Sequence, residues 1–176
     1  SHTPTATATP SSTSTWTPTA TPTLTSTPTP KAANISLSAA VSASAHAEPG
    51  KDTCDPPNTT TFVPENLVDG NLETAWRVAG NAAEEQLEFL FGQTAVLSQI
   101  RIVPGYAKAD PCDSYYAWCS MNRIPRKIRV EFDDGSLFDL NLDAKCEWQT
   151  FRFAPVRTRS VRLTVLETYP PSHAAV

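Results

Sequence analysis

The sequence lacks the excess of positive charge on which several kinds of binding depend. Its 18 acidic residues outnumber its 14 basic ones, which leaves a net charge of −4. A mildly acidic chain with scattered Lys and Arg has no basic patch for phosphates, so we predict that nucleic acid is not a partner. The same balance argues against docking on an anionic membrane by charge alone. No apolar run approaches the roughly 20 residues that a membrane-spanning helix needs.

The residues of a catalytic centre are also scarce. The chain has only three histidines, and two of them, His2 and His173, lie near its ends. No Ser/His/Asp or Cys/His pattern suggests an activated nucleophile. Acidic residues are adjacent at 84–85 and 133–134, but neighbouring side chains on a strand point to opposite faces. We therefore predict that the chain is not an enzyme.

Charge is missing altogether from Ser1–Pro30, where Thr alternates with Pro, Ala and Ser. Recurrent proline removes the hydrogen-bond donors of a strand, and nothing apolar is available to form a core. This composition predicts a disordered Thr/Pro-rich linker at residues 1–30, with a reach of about 90 Å when extended. A folded domain would occupy residues 31–176, and the linker would join it to other domains of a longer parent chain.

The four cysteines have no C-x₂-C spacing, which argues against a zinc site and a redox motif. We predict that they form two disulfides, as expected of an extracellular protein that is secreted or held at the cell surface. Four cysteines allow three pairings, and we favour the one with the shortest loop, worth about 2.5 kcal/mol. That pairing joins Cys112 to Cys119 and Cys54 to Cys146.

Short runs of alternating polarity follow Lys31, and no stretch sustains a helical period; Pro64–Val68 is a candidate for one helical turn. Alternation places one face of each run in a core and the other in solvent. Asp134-Gly135 between two runs predicts a hairpin. We predict an all-β fold, an antiparallel β-sandwich of jelly-roll type. The predicted strands are Ile35–Ser44, Gln86–Phe91, Val96–Val103, Lys127–Phe132, Ser136–Leu142, Trp148–Phe153 and Ser160–Leu166.

The segment Pro64–Trp76 reads PENLVDGNLETAW and resembles the hallmark of discoidin domains, the coagulation-factor C-type modules with a galactose-binding-like fold. The similarity covers Ile35–Tyr169, and Gly105-Tyr106, a loop and Asn122-Arg123 are similar to bacterial glycan-binding variants. The resemblance implies non-catalytic binding, usually of carbohydrate and sometimes of protein or phospholipid. It also implies a closing strand that opens on Ser-Glu after Tyr169, a pair this sequence does not contain.

The turn that follows Leu67 concentrates hard oxygen atoms. Calcium binds six to eight oxygens, and a carboxylate with turn carbonyls supplies part of such a shell. We predict a structural Ca²⁺ site here, although the polar side chains could instead satisfy only the amides of the turn around Gly70. The candidate ligands are Val68, Asp69, Asn71 and Thr74.

The insertion Ala107–Met121 and its flanks combine aromatic rings with planar polar groups. A sugar site needs a ring to cover the apolar face of a pyranose and polar groups for its hydroxyls. A disulfide within the loop would lower the entropy cost of binding. The alternative is that the rings pack down as a cap on the sandwich. The candidate ligand residues are Tyr106, Lys108, Asp113, Tyr115, Tyr116, Trp118, Asn122 and Arg123, with Arg77 and Asn81 on a loop at the same rim.

Two functions remain open at this stage. The first is a non-catalytic carbohydrate-binding module of a multidomain protein, which binds sugar through the aromatic loop. The alternative is a protein- or phospholipid-binding adhesion domain of the same fold, with the aromatic loop as a hot spot or an inserted spike. Tyrosine beside Asn, Arg and Asp favours recognition of a polyol.

Overall fold

The computed structural model describes residues 33–113 and 118–172. The linker predicted at Ser1–Pro30 lies outside these residues, and so do the candidate ligand residues Tyr115 and Tyr116. Among the described residues, no helical segment has the length and hydrophobicity of a membrane span.

Strands dominate the described residues, and the helical segments are short. The 3₁₀ turn at Pro64–Leu67 confirms the helical turn predicted there. A second 3₁₀ turn, Ser36–Ser38, occupies the start of the strand predicted at Ile35–Ser44, which was therefore predicted too long. The α-helix α1 covers Trp118–Met121. The strands are β1 Ala40–Ala43, β2 Gly50–Lys51, β3 Thr59–Thr60, β4 Gln86–Ile102, β5 Ile124–Phe132, β6 Leu137–Asn141 and β7 Gln149–Tyr169.

The main sheet is antiparallel, with strand order β1-β4-β7-β5-β6, and β2 and β3 form a separate two-stranded hairpin. Four of the predicted strands form only two in the structure. β4 and β7 each continue across a gap that the sequence predicted between two separate strands. The β4–β7 register shifts between Leu90 and Ala95 and again between Leu97 and Gln99. Bulges of this kind bend a strand without ending it, so β4 and β7 remain paired on both sides of each shift.

The buried core is formed mainly by β5 and β7, with side chains from β4 and β6. The predicted alternation holds in β5, where Ile128, Val130 and Phe132 are buried. In β7, Val161 and Leu163 are buried beside them. Partly buried side chains from the other parts of β4 and β7 pack against this core: Leu97, Ile100, Ile102, Phe151, Phe153 and Val156. The fold is therefore an all-β antiparallel sandwich of jelly-roll type, as predicted.

Candidate functional site

An open pocket of about 60 Å³ gathers side chains from the β2–β3 hairpin, the segment after Trp76, the loop after β4, and α1 with the residue that follows it. Five of the ten candidate ligand residues line it: Arg77, Tyr106, Lys108, Trp118 and Asn122. The other lining residues are ones that the sequence did not single out: Gly50, Lys51, Asp52, Thr60 and Phe62. The pocket therefore exists only because separate loops meet.

Aromatic rings form the floor of the pocket. Phe62 is 5% exposed, and Tyr106 meets it edge-to-face with ring centroids 6.0 Å apart. A Cβ atom at Gly50 would lie 3.1 Å from Phe62 Cε2, so the absence of a side chain lets the hairpin close over that ring. The Arg77 guanidinium lies 5.2 Å from the Phe62 centroid, which is cation–π distance. The pocket thus has a fixed apolar base.

Tyr106 presents a neutral phenol at this base. Burial raises the pKa of Tyr106, and the charges of Glu73 and Asp52 act in the same direction, while a hydrogen bond with the Thr60 side chain opposes the rise. Because the net direction is upward from an ordinary value near 10, the hydroxyl stays protonated at neutral pH. It can therefore donate one hydrogen bond and accept others.

Asp52 shapes the hairpin that carries Lys51 and Thr60. Its carboxylate accepts hydrogen bonds from Asn58 N at 2.8 Å, Asn58 Nδ2 at 2.8 Å and Cys54 N at 3.2 Å. The Asn58 side-chain bond is the largest of the effects that lower the pKa of Asp52. The carboxylate is therefore ionised, and its hydrogen-bonding capacity is largely used within the turn.

Asp110 ties the hairpin to the loop after β4. Its side chain, only 4% exposed, accepts hydrogen bonds from both the amide and the hydroxyl of Thr53, the latter at 2.7 Å. It also accepts from the amides of Cys112 and Asp113. Burial acts to raise the pKa of Asp110, but these bonds, with Cys112 foremost, outweigh it and leave the pKa lowered. One carboxylate therefore holds two walls of the pocket together.

The first disulfide joins the same two segments of the chain as the hydrogen bonds of Asp110. The bonds are Cys54–Cys112 and Cys119–Cys146, so the predicted use of all four cysteines is confirmed and the favoured pairing is wrong. The short spacing of Cys112 and Cys119 favoured a local loop. Instead, the Asp110 network brings Cys112 beside the hairpin, with Cys54 and Cys112 Cα atoms 5.1 Å apart, within bridging distance.

The second disulfide, Cys119–Cys146, holds the side of the pocket that α1 forms. Cys119 lies in α1, next to Trp118, and its bridge reaches the turn before β7. A Cβ atom at Gly105 would collide with Cys146 Sγ, so this glycine makes room for the bridge. Asn122 Nδ2 donates to the Trp118 carbonyl at 2.7 Å and closes the end of the short helix. Cys112 and Cys119 are thus bonded to different parts of the chain.

The low pKa of Asp110 predicts an acid-sensitive fold. A carboxyl group whose pKa is lower in the folded state stabilises that state above its ordinary pKa near 3.9, and this stability is lost as pH falls through the folded value. The pKa values of Asp52, Asp133 and Asp139 are lowered as well. Urea unfolding should therefore show constant stability from pH 7 to about 5 and a decline below about 4.

Asp110→Asn should be less stable than the wild type at pH 7, because an amide cannot accept all four hydrogen bonds. It should also lose part of the decline below pH 4, since one of the titrating groups is gone. Parallel pH profiles for the two proteins would contradict the role assigned to Asp110.

Three further candidate ligand residues that the structure describes, Asn81, Asp113 and Arg123, are not part of the pocket lining. Asn81 accepts a hydrogen bond from Thr168 Oγ1 at 2.9 Å, at the end of β7. The Asp113 amide donates to Asp110, and the Arg123 side chain is exposed outside the lining. The lining residues that the sequence did not single out belong to the hairpin or, for Phe62, follow it directly; the hairpin's only signal in the sequence was the turn-forming run Asp55-Pro56-Pro57-Asn58.

The predicted calcium turn brings several oxygen atoms together. Thr74 Oγ1 lies 2.6 Å from Asp69 Oδ2 and 2.8 Å from the Asn71 carbonyl, and it has one proton for the two acceptors. Asp69 Oδ1 accepts from the Asn71 amide, and Gly70 has φ +76°. Three hard oxygens therefore converge. Within the described residues, no three His, Cys, Asp or Glu side chains cluster as a metal site, so further ligands would be carbonyls or water.

Residues 40–172 match the family described as the NAD glycohydrolase translocation F5/8 type C domain. The chain belongs to this family. The match covers most of the chain, and it confirms the discoidin-like resemblance seen in Pro64–Trp76. No curated protein matches the sequence significantly.

Solved structures with the same fold are distant in sequence. The family 32 carbohydrate-binding module of Clostridium perfringens NanJ, in complex with galactose, is 16% identical, with a TM-score of 0.54 over 78% of this chain and 88% of that one. A chitosan-binding module from a Paenibacillus chitosanase/glucanase, in complex with chitotriose, is 20% identical, with a TM-score of 0.51 over 78% and 91%. Because these identities are low, the similarity shows only that the F5/8 type C domain has the same fold as these modules.

Proposed function

We propose that this domain is a non-catalytic carbohydrate-binding module of a secreted or cell-surface multidomain protein, and that sugar binds in the pocket between the β2–β3 hairpin and α1. The observation that carries the proposal is the convergence of Tyr106, Trp118, Arg77, Lys108 and Asn122 on one opening. A ring surface beside donors and acceptors suits the two faces of a pyranose.

Two further observations support it. The similar structures from Clostridium and Paenibacillus are sugar-binding modules by description, with galactose and chitotriose bound. The two disulfides fit an extracellular, oxidising compartment, where glycans are displayed. They also hold the pocket walls in place before a ligand arrives, which reduces the entropy cost of binding.

The alternative, a protein- or phospholipid-binding adhesion domain, has weaker support at this pocket. A membrane-inserting loop would present large apolar side chains at its tip. The exposed large apolar side chains among the described residues, such as Leu72, Val96 and Trp148, are not part of the pocket lining. The pocket lining instead consists mainly of aromatic, amide-bearing and charged side chains.

A glycan array with the full chain tests the proposal. We expect binding to a restricted set of sugars, each with a dissociation constant on the order of 10 μM to 1 mM, because single sugar sites are weak (about −7 to −4 kcal/mol). Binding to no glycan, together with retention on phospholipid vesicles or on a protein partner, would favour the adhesion alternative and contradict the carbohydrate-binding proposal.

We also propose that the turn Asp69–Thr74 holds a structural calcium ion, through Asp69, Thr74 and the carbonyls of Val68 and Asn71. Its support is the group of three oxygens around the Thr74 hydroxyl. Calcium should raise the melting temperature of the wild type and have no effect on Asp69→Ala. Equal calorimetric heats of calcium binding for the two proteins would contradict the site.

A further inference from the structure

The pocket carries more positive charge than the rest of the molecule would suggest. Three cationic side chains, Lys51, Arg77 and Lys108, line it, and Asp52 is the one carboxylate in the lining. Three cations and one carboxylate give a formal charge of +2, whereas the whole chain has −4. Glu73, whose charge also reaches Tyr106, is not part of the lining.

None of the ion pairs within the described residues includes Lys51, Arg77 or Lys108. Asp52 is committed to Asn58 and Cys54 across the hairpin turn. On the main sheet, by contrast, Lys127 pairs with Asp139 at 3.0 Å, and Arg162 lies between two glutamates.

Like charges gathered in one small opening repel one another unless an anion joins them. Lys51, Arg77 and Lys108 line the same opening as Phe62 and Tyr106, so a sugar ring over these two aromatic rings would lie among residues that carry three cations. A carboxylate or sulfate on that ring would accept charge-assisted hydrogen bonds, which are stronger than those of a neutral hydroxyl. A neutral sugar would leave the positive charge uncompensated.

We infer that the pocket selects an acidic sugar, one that carries a carboxylate or sulfate group on the ring it binds. This inference rests on the proposed carbohydrate-binding function and narrows it to a class of ligand. The aromatic floor recognises the ring, and the cations Lys51, Arg77 and Lys108 recognise the negative group.

Matched pairs of sugars test the inference on the full chain by titration calorimetry or ligand-observed NMR. Galacturonic acid is compared with galactose, and glucuronic acid with glucose, because each pair differs only at the carboxylate. Galactose 6-sulfate separates sulfate from carboxylate recognition. We expect the acidic member to bind at least tenfold more tightly, with an advantage that shrinks several-fold between 0.05 and 0.5 M salt.

Lys108→Gln and Lys51→Gln should each lower the acid-to-neutral affinity ratio several-fold. Lys127→Gln, which removes a cation that is paired on the sheet, is the matched control and should leave the ratio unchanged. A neutral sugar that binds as tightly as its acidic partner would overturn the inference and leave the proposed function standing. Binding of neither kind would overturn both. Inorganic sulfate that displaces the sugar at equal concentration would show an anion site without sugar recognition, and would also overturn the inference.

Discussion

Replacing Cys54 and Cys112 together with serine should lower the free energy of unfolding by about 4 kcal/mol, because the bond closes a loop with a sequence separation of 58 residues. Loop-closure entropy grows with the logarithm of loop length, so the Cys119–Cys146 bond, with a separation of 27, should be worth slightly less, about 3.5 kcal/mol. For a domain of this size, the first change corresponds to a melting temperature lower by on the order of 10–15 °C.

The same double substitution should also abolish sugar binding at temperatures where the domain is still folded. The disulfide and Asp110 together attach the β2–β3 hairpin to the loop that carries Tyr106 and Lys108. Without the bond, the hairpin can move away, and Lys51 and Thr60 would leave the lining. Denaturant unfolding and sugar titration of the same samples measure the two effects.

Val130→Ala is the matched control for loss of stability alone. Val130 is fully buried in β5, away from the pocket lining, and its truncation should destabilise the domain by about 2–3 kcal/mol. This variant should keep its affinity for sugar when measured below its melting temperature. If the serine variant binds sugar as well as Val130→Ala does, the disulfide has no part in shaping the pocket.

Trp118→Ala should reduce sugar affinity by about 5- to 30-fold while leaving most of the stability intact. A stacked aromatic ring contributes about 1–2 kcal/mol to a sugar complex, and each 1.4 kcal/mol is tenfold in affinity. A site with a dissociation constant near 0.1 mM would then bind with a constant of about 0.5–3 mM. Trp118 is only partly buried, so its removal leaves the core cluster of Val130, Leu163 and their neighbours in place.

Trp148→Ala provides the comparison. Trp148 is 51% exposed, stacks with Arg101 at 4.5 Å, and does not line the pocket. Its loss should leave binding unchanged. A thermal melt is paired with a binding titration for each variant. A large fall in the melting temperature of Trp118→Ala with binding retained would mean that this tryptophan caps the sandwich and contacts no ligand.

The sandwich could be predicted because its strands follow a local rule. Alternation of apolar and polar residues in Ile128–Phe132 and Val161–Val165 depends only on neighbouring positions, and the structure buries the expected faces. The bends within β4 and β7 could not be predicted in the same way. A bulge interrupts the alternation as a loop does, and only the partner strand shows that pairing continues.

The pocket was only half predictable for a related reason. Tyr106, Lys108 and Trp118 are close along the chain, whereas Lys51 and Thr60 come from a hairpin whose strands have two residues each, too short to show any period. The disulfide pairing depends on where that hairpin lies in the folded structure. Sequence spacing gives no information about this, so the favoured Cys112–Cys119 bond was wrong.

The most direct test of the account is a backbone amide NMR titration of the full chain with galacturonic acid, with galactose as the neutral comparison. Chemical shifts should change at residues 50–52, 60–62, 77, 106–108 and 118–122, the segments that line the pocket. Glu88, Glu131 and Arg162, on the main sheet away from the pocket, should not respond. Shifts confined to that sheet or to the turn at Asp69–Thr74, with the pocket segments silent, would contradict the central claim that sugar binds between the hairpin and α1.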